Sequence, residues 1–239
     1  MIILKNLLYK SSSAVFILLL VLSCSQRDDH DGLNSYDKSV IRYFKEVALG
    51  FEFGGSTDVT RKWRFNMKLF VGGEPAPDLI NELNDIVSEI NALSTDGFQI
   101  EIVDDPSLSN FYAYFGTASD YVNIYPDQAA AAEENWGLFK VNFNADDELI
   151  NGHMFVDINR ADAIEQKHLL REELTQSLGL ARDSPRYSDS IFQSSWTTTT
   201  TYSKIDRDVI RLLYHPDVSV GLDNDQVEIV LRNILSSEK

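Results

Sequence analysis

Residues 167–183 gather the side chains most capable of chemistry: Lys-His-Leu-Leu-Arg-Glu-Glu-Leu-Thr-Gln-Ser-Leu-Gly-Leu-Ala-Arg-Asp. His168, Glu172 and Gln176 recur at every fourth position, opposite Leu170, Leu174 and Leu178. That is an amphipathic helix with a polar stripe, stopped by Gly179. An imidazole and a carboxylate four apart on one helical face can present two ligands to a divalent metal. His168 and Glu172 therefore form one candidate pair, with His153 or His215 available to reach in from elsewhere. Against this stands the commoner fate of such a stripe, a solvated polar face. Ser184, Ser188 and Ser190 lie near Asp183 and Asp189, the residue types of serine hydrolysis, but no histidine stands beside them. Serine and aspartate in a turn more often bond the backbone.

These side chains need elements to position them, and hydrophobic periodicity supplies the candidates. Residues 36–49 place Val40, Tyr43, Phe44 and Val47 on one helical face. Trp63, Phe65, Met67, Leu69 and Val71 alternate with Arg64, Asn66, Lys68 and Phe70, which predicts a strand half facing a core. A turn rich in Gly and Pro leads into a helix over 78–93, whose apolar positions include Leu79, Leu83, Ile86 and Ile90. Strands follow at 98–103 and 111–115, then a hairpin of 138–143 with 153–158, then helices over 163–178 and 203–214. The threonine run 197–201 reads as an exposed loop or edge strand. The expectation is an α+β fold, a mixed twisted sheet packed on the helix that carries the polar stripe and on a C-terminal helix.

Segment 172–182 resembles the metzincin metallopeptidase signature H-E-x-x-H-x-x-G-x-x-H. Glu172 stands at the first histidine, Glu173 at the general-base glutamate, Gln176 at the second histidine, Gly179 at the glycine and Arg182 at the third histidine. Further on, Ser190-Ile191-Phe192 is similar to the Ser-Ile-Met segment of that family's methionine turn. Residues 202–214, from Tyr202-Ser203 to Leu213-Tyr214, resemble the closing helix of the matrixin type. The resemblance covers most of residues 60–216, with its specific motifs only between Glu172 and Tyr214, and it implies a metzincin-like domain in which the stripe helix is the active-site helix. The Arg-Glu-Glu-x-Thr-Gln-x-Leu-Gly form is also similar to that of uncharacterised bacterial lipoproteins.

The departures decide what the resemblance implies about function. A carboxylate binds zinc, a glutamine amide does so poorly, and a guanidinium does not bind it at all. With Glu172, Gln176 and Arg182 at the ligand positions, the expectation is that zinc chemistry is lost and no cofactor is held. Arg182 is expected to occupy the metal's place, forked onto Glu172 and bonded by the Gln176 carbonyl. Removing it would then cost about 3 to 5 kcal/mol. Glu173 keeps the general-base position, with an ordinary buried or paired carboxylate as its alternative. The function expected is a polypeptide-binding pseudo-peptidase that takes its partner as an added strand. Two alternatives remain open: an active metallopeptidase with non-standard ligation, His168 included, and a structural or assembly lipoprotein.

The N-terminus adds an address. Lys5 and Lys10 precede an apolar run over 14–22 that is too short for a membrane span and has the layout of a signal peptide. Val21-Leu22-Ser23-Cys24 resembles a bacterial lipobox, which implies cleavage after residue 23 and a lipid, palmitate included, on Cys24. Cys24 is the only cysteine of the chain, so no intramolecular disulfide competes for it. The domains expected are a lipoprotein signal peptide at 1–23, an acidic tether at 24–35 and a single metzincin-like domain at 36–239. Ser25 after the cysteine resembles the outer-membrane pattern of enteric lipoproteins. The acidic run 25–31 is similar to the surface-export signal of Bacteroidota lipoproteins. The formal net charge of −16 becomes two units more negative once Lys5 and Lys10 are removed. Such a chain is repelled by phosphate backbones, which argues against a nucleic-acid partner.

Overall fold

The computed structural model describes residues 32–51 and 57–239. Cys24 and the expected signal segment and lipid site lie outside the described residues. Four helices begin on the same local device, a reciprocal capping box in which the N-cap side chain and the side chain three residues on each accept the other's backbone amide. Asn34 and Asp37 open α1 (Ser35–Ala48), and Asp162 and Glu165 open α5 (Ala163–Gln176). Ser203 and Asp206 open α6 (Lys204–Leu213), and Asp223 and Gln226 open α7 (Asn224–Ser237). Helix α2 (Pro77–Leu93) uses proline in its first turn instead, where the missing amide is not needed. Two short helices, α3 (Ala118–Ile124) and α4 (Ala129–Glu134), complete the α-helices among the described residues. No described helix is long and apolar enough to cross a membrane.

The strands are β1 (Lys62–Trp63), β2 (Met67–Gly73), β3 (Ile100–Val103), β4 (Phe111–Gly116), β5 (Gly137–Phe143) and β6 (Glu148–Asp157). Across the sheet they run β3-β2-β4-β6-β5, and β1 pairs with the first residues of β6. Every pairing is parallel except that of β5 with β6, a hairpin. The sheet is mixed and parallel-dominated, and α2 makes the crossover that parallel β2 and β3 require. One face carries Met67, Leu69, Phe111, Ala113, Phe115, Met154 and Val156, all buried, in one core with the apolar sides of α1, α2, α5, α6 and α7. A smaller cluster of Tyr114, Tyr121, Ala132, Leu138 and Phe155 lies where α3 and α4 meet the sheet.

The single strand expected over 63–71 is two. The chain bends at Arg64 and Phe65 because it changes partners, leaving β6 and joining β4 and β3. In consequence Phe65 is 43% exposed while Lys62 is wholly buried. The Lys62 ammonium donates to Asp96 at 2.7 Å and to the Leu213 carbonyl at 3.0 Å, which caps the end of α6. The sequence pattern also underrates α3, α4 and α7. The first two are short and bury one side chain each, whereas α7 repeats Val227, Leu231, Ile234 and Leu235 at helical spacing and packs on α1.

The end of α5 is set by a close approach of two backbones. The indole Nε1 of Trp63 donates to the Ser177 carbonyl at 3.0 Å and the Tyr214 hydroxyl to the Leu178 carbonyl at 2.9 Å, so these terminal acceptors are satisfied by side chains. Gly179 then turns with φ of 113°, and a Cβ there would stand 1.9 Å from the Arg61 carbonyl oxygen. Both conformation and space demand glycine. Gly179→Ala is expected to lower the free energy of unfolding by roughly 3 kcal/mol or more, combining backbone strain and a backbone clash. Urea unfolding followed by circular dichroism measures it; an unchanged midpoint would show that the turn relaxes without cost.

Candidate functional site

Helix α5 runs beneath β5, and the two touch where the hairpin begins. A Cβ added at Gly137 would come within 2.7 Å of the Glu173 Oε1 and 2.8 Å of a Leu169 methyl. The glycine thus lets the strand settle directly on the Glu173 side chain, which is 7% exposed. Leu170 and Leu174 are fully buried in the core, so the leucine stripe is where periodicity put it.

The polar stripe pairs internally. His168 is buried, its Nδ1 2.8 Å from the Thr199 carbonyl and its Nε2 3.3 Å from a Glu172 carboxylate oxygen. A carbonyl only accepts, so Nδ1 carries a proton. A carboxylate facing Nε2 favours a second proton there. Burial works to lower the pKa of His168, but the Glu172 carboxylate and the Thr199 carbonyl outweigh it and the net shift is upward. The same contact ties the threonine run to α5, and that run is a loop without strand pairing. Trp196 stands over His168, ring centroids 6.1 Å apart, and its edge meets Trp136 at 5.6 Å.

Gln176 and Arg182 do not do what their positions suggest. The Gln176 amide donates to Asp183 at 2.6 Å. The Arg182 backbone amide bonds the Val47 carbonyl at the end of α1, which carries its side chain away from Glu172. Its guanidinium donates to Asp58 at 2.7 Å and to the Phe51 carbonyl. The expected fork of Arg182 onto Glu172 is therefore corrected: Glu172 takes His168 as its cation. The buried arginine of this helix is Arg171, 2% exposed, which bonds Glu82 at 2.8 Å and Glu89 at 3.0 Å on α2 and lies over the Tyr202 ring.

The donor set at the three ligand positions does not fit zinc. Glu172 is engaged by His168, Gln176 presents its amide nitrogen to Asp183, and Arg182 brings a cation that has no lone pair to give. Among the described residues no three His, Cys, Asp or Glu side chains are grouped so as to hold an ion. His153 shares a hydrogen bond of 2.7 Å with the Tyr121 hydroxyl and stacks on Tyr125, and burial lowers its pKa to about 4. His215 accepts from the Asp217 amide. Neither histidine is brought to His168.

The turn after α5 is held by a buried network. The Ser190 hydroxyl donates to Asp206 at 2.6 Å and accepts from the Phe192 amide at 3.0 Å, with the Tyr43 hydroxyl 2.6 Å away. Asp206 also accepts from the amides of Ile191 and Ser203. Ser190 is fully buried and holds backbone, which removes it from hydrolytic chemistry. Sequence reasoning passed over Trp136 and Trp196. Their signal was composition: the chain has three tryptophans, and two of them sit among polar neighbours.

Residues 37–233 match the profile of a family described as "Protein of unknown function (DUF2927)". The chain belongs to this family. No curated protein matches the chain. The family match spans the whole of α5, β5 and the turn network.

Two outcomes follow from these pairings. Arg171→Ala removes the buried guanidinium that joins Glu82 to Glu89, leaving them Lys167 and Arg207 as partners, and is expected to cost on the order of 3 kcal/mol, whereas Arg182→Ala breaks a solvent-facing pair and is expected to cost about 1 kcal/mol or less. Equal losses in urea unfolding would overturn the assignment. The upward shift of His168 means that its pairing stabilises fully below the unfolded value of 6.5 and fades as pH rises through the folded value. The stability gap between wild type and His168→Gln should therefore narrow as the solution is made alkaline; a gap that widens would sink the pairing.

Proposed function

We propose that the chain is a lipid-anchored protein of the bacterial envelope whose metzincin-like domain has given up its metal and keeps the cleft as a groove for an extended polypeptide. The observation that carries this is the position of β5. It is an antiparallel edge strand: among the described residues it pairs with β6 alone, and it lies directly on the polar side of α5 at Glu173. A strand edge of this kind offers amides and carbonyls to a strand added from outside, and side chains along α5 can then choose the guest.

The order of parts supports the metzincin-like reading. Helix α5, the obligatory Gly179, the buried turn at Ser190-Ile191-Phe192 and the Ser203-capped α6 follow one another with the spacing that the resemblance implies. Loss of the metal is supported by the pairings of Glu172, Gln176 and Arg182. Glu173 keeps the general-base position, but nothing at the three ligand positions polarises a water for it. The lipid anchor rests on the Val-Leu-Ser-Cys sequence ending at Cys24, Ser25 after it favours the outer membrane, and the acidic run 25–31 favours its outer surface.

The test uses the purified full chain. Elemental analysis is expected to find far less than one equivalent of zinc. An extended peptide is expected to slow hydrogen exchange of the β5 amides, and a lipid precursor to label the wild type but not Cys24→Ala. One equivalent of tightly held zinc would replace this reading with an active metallopeptidase. Exchange at β5 untouched by any peptide would leave a structural or assembly lipoprotein.

A further inference from the structure

The face of the sheet turned away from α5 is covered only in part. Phe70, Tyr112, His153 and Lys140 are successive register partners on β2, β4, β6 and β5, so they form one row across that face. Helices α3 and α4 close over the next row, Tyr114 and Phe155. Tyr125, just beyond α3, stacks on His153 with ring centroids 3.6 Å apart and meets Tyr112 at 6.3 Å. The Phe70 and Tyr112 rings are nearly parallel, their centroids 5.5 Å and their planes 10° apart. A Cβ at Gly72 would stand 2.0 Å from the Tyr112 hydroxyl, so the phenol reaches across β2 through space that only glycine leaves. Phe70, Tyr112 and Tyr125 are all half-buried. Parallel strands are commonly covered on both faces, whereas this row of rings meets water. Beside it, two residues before His153 on β6, stands Asn151 with its partner Asn142 on β5. The Asn142 amide donates to the Asn151 carbonyl oxygen at 2.7 Å. That leaves the exposed pair one acceptor and one donor with no partner among the described residues, and the Tyr112 hydroxyl is likewise unbonded there.

We propose that this row of rings and the asparagine pair beside it form a binding surface for a neutral oligosaccharide. The site lies across the sheet from the groove and does not rest on the groove reading. A sugar ring turns a face of C–H groups to an aromatic ring and carries hydroxyls around its edge, each both donor and acceptor. Phe70 and Tyr112 supply the rings, and the Tyr112 hydroxyl, Asn142 and Asn151 supply the polar partners. Neighbouring strands lie about 4.8 Å apart and two residues span about 6.6 Å, so Asn151 stands about 8 Å from Tyr112 at the backbone, a gap that a short oligosaccharide bridges. Charge selects a neutral guest. Lys140, the cation of the row, is already paired with Asp127 at 2.5 Å, and the net charge of −16 repels acidic sugars and phosphates alike. A second copy of the chain would bring that charge against itself, and a stable interface needs roughly 800 Å² from each partner, far more than one row of rings.

The experiment is titration calorimetry of the full chain in a zwitterionic detergent with maltohexaose, cellohexaose, mannohexaose and xylohexaose, and with hexagalacturonate as the acidic comparison. A neutral hexasaccharide is expected to bind and hexagalacturonate not to. Tyr112→Ala and Phe70→Ala should each weaken binding by about tenfold or more, and Asn151→Ala by about fivefold. Tyr112→Phe keeps the ring and should stay within about fivefold of wild type, which separates stacking from the hydroxyl and guards against a variant that misfolds. Circular dichroism checks that each variant is folded. Failure of every neutral hexasaccharide to bind would overturn the proposal, as would binding that survives both Tyr112→Ala and Phe70→Ala. Tighter binding of hexagalacturonate would overturn the choice of a neutral guest. Self-association in sedimentation that Tyr112→Ala abolishes would replace the saccharide with a second copy of the chain.

Discussion

The Asp206 carboxylate has no solvent exposure and accepts three hydrogen bonds, from the Ser190 hydroxyl and from the Ile191 and Ser203 amides. Taking a carboxylate out of water costs several kcal/mol unless donors replace the lost hydration. Burial raises its pKa, and these three donors oppose that rise. One side chain therefore serves two segments at once, as the capping partner of α6 and as the anchor of the turn at 190–192. Through Ser190 the same network reaches Tyr43 on α1. None of the three segments can shift without exposing or stranding a charge.

The same accounting explains the polar side of α5. A charged group there must find an opposite charge within reach, and reach is decided by where the backbone goes after Gly179. That turn sends Arg182 to the end of α1, next to Asp58, so Glu172 is left to the imidazole one helical turn before it. The result is a polar helix face whose Glu172 is paired within its own helix, beneath the edge strand β5.

Much of the frame was legible in the sequence. Capping pairs three residues apart, the leucine stripe of α5, the stop at Gly179 and the alternation of β2 are local patterns, and local patterns survive whatever the rest of the chain does. The split of the first strand was not legible. Phe65 and Lys62 are ordinary residues of an alternating run until β6 claims one half of it and β4 the other. The partner of Glu172 was misread for a related cause. Position in a signature states which residues occupy equivalent places along a helix, but Arg182 lies beyond the helix, on a segment whose path depends on Val47.

By itself the sequence determined the types of its long periodic elements, the mixture of helices and strands, the acidity and the chemical inventory of α5. Those follow from periodicity, capping and composition, which act over a few residues. The tertiary structure alone decided that Arg171, with no distinguishing mark in its helix, is the buried arginine held by α2. It also decided that Trp136 and Trp196, sixty residues apart in the chain, share a contact. Long-range pairing of charges and rings depends on crossover geometry, and no spacing along a single strand or helix encodes which distant side chain will arrive.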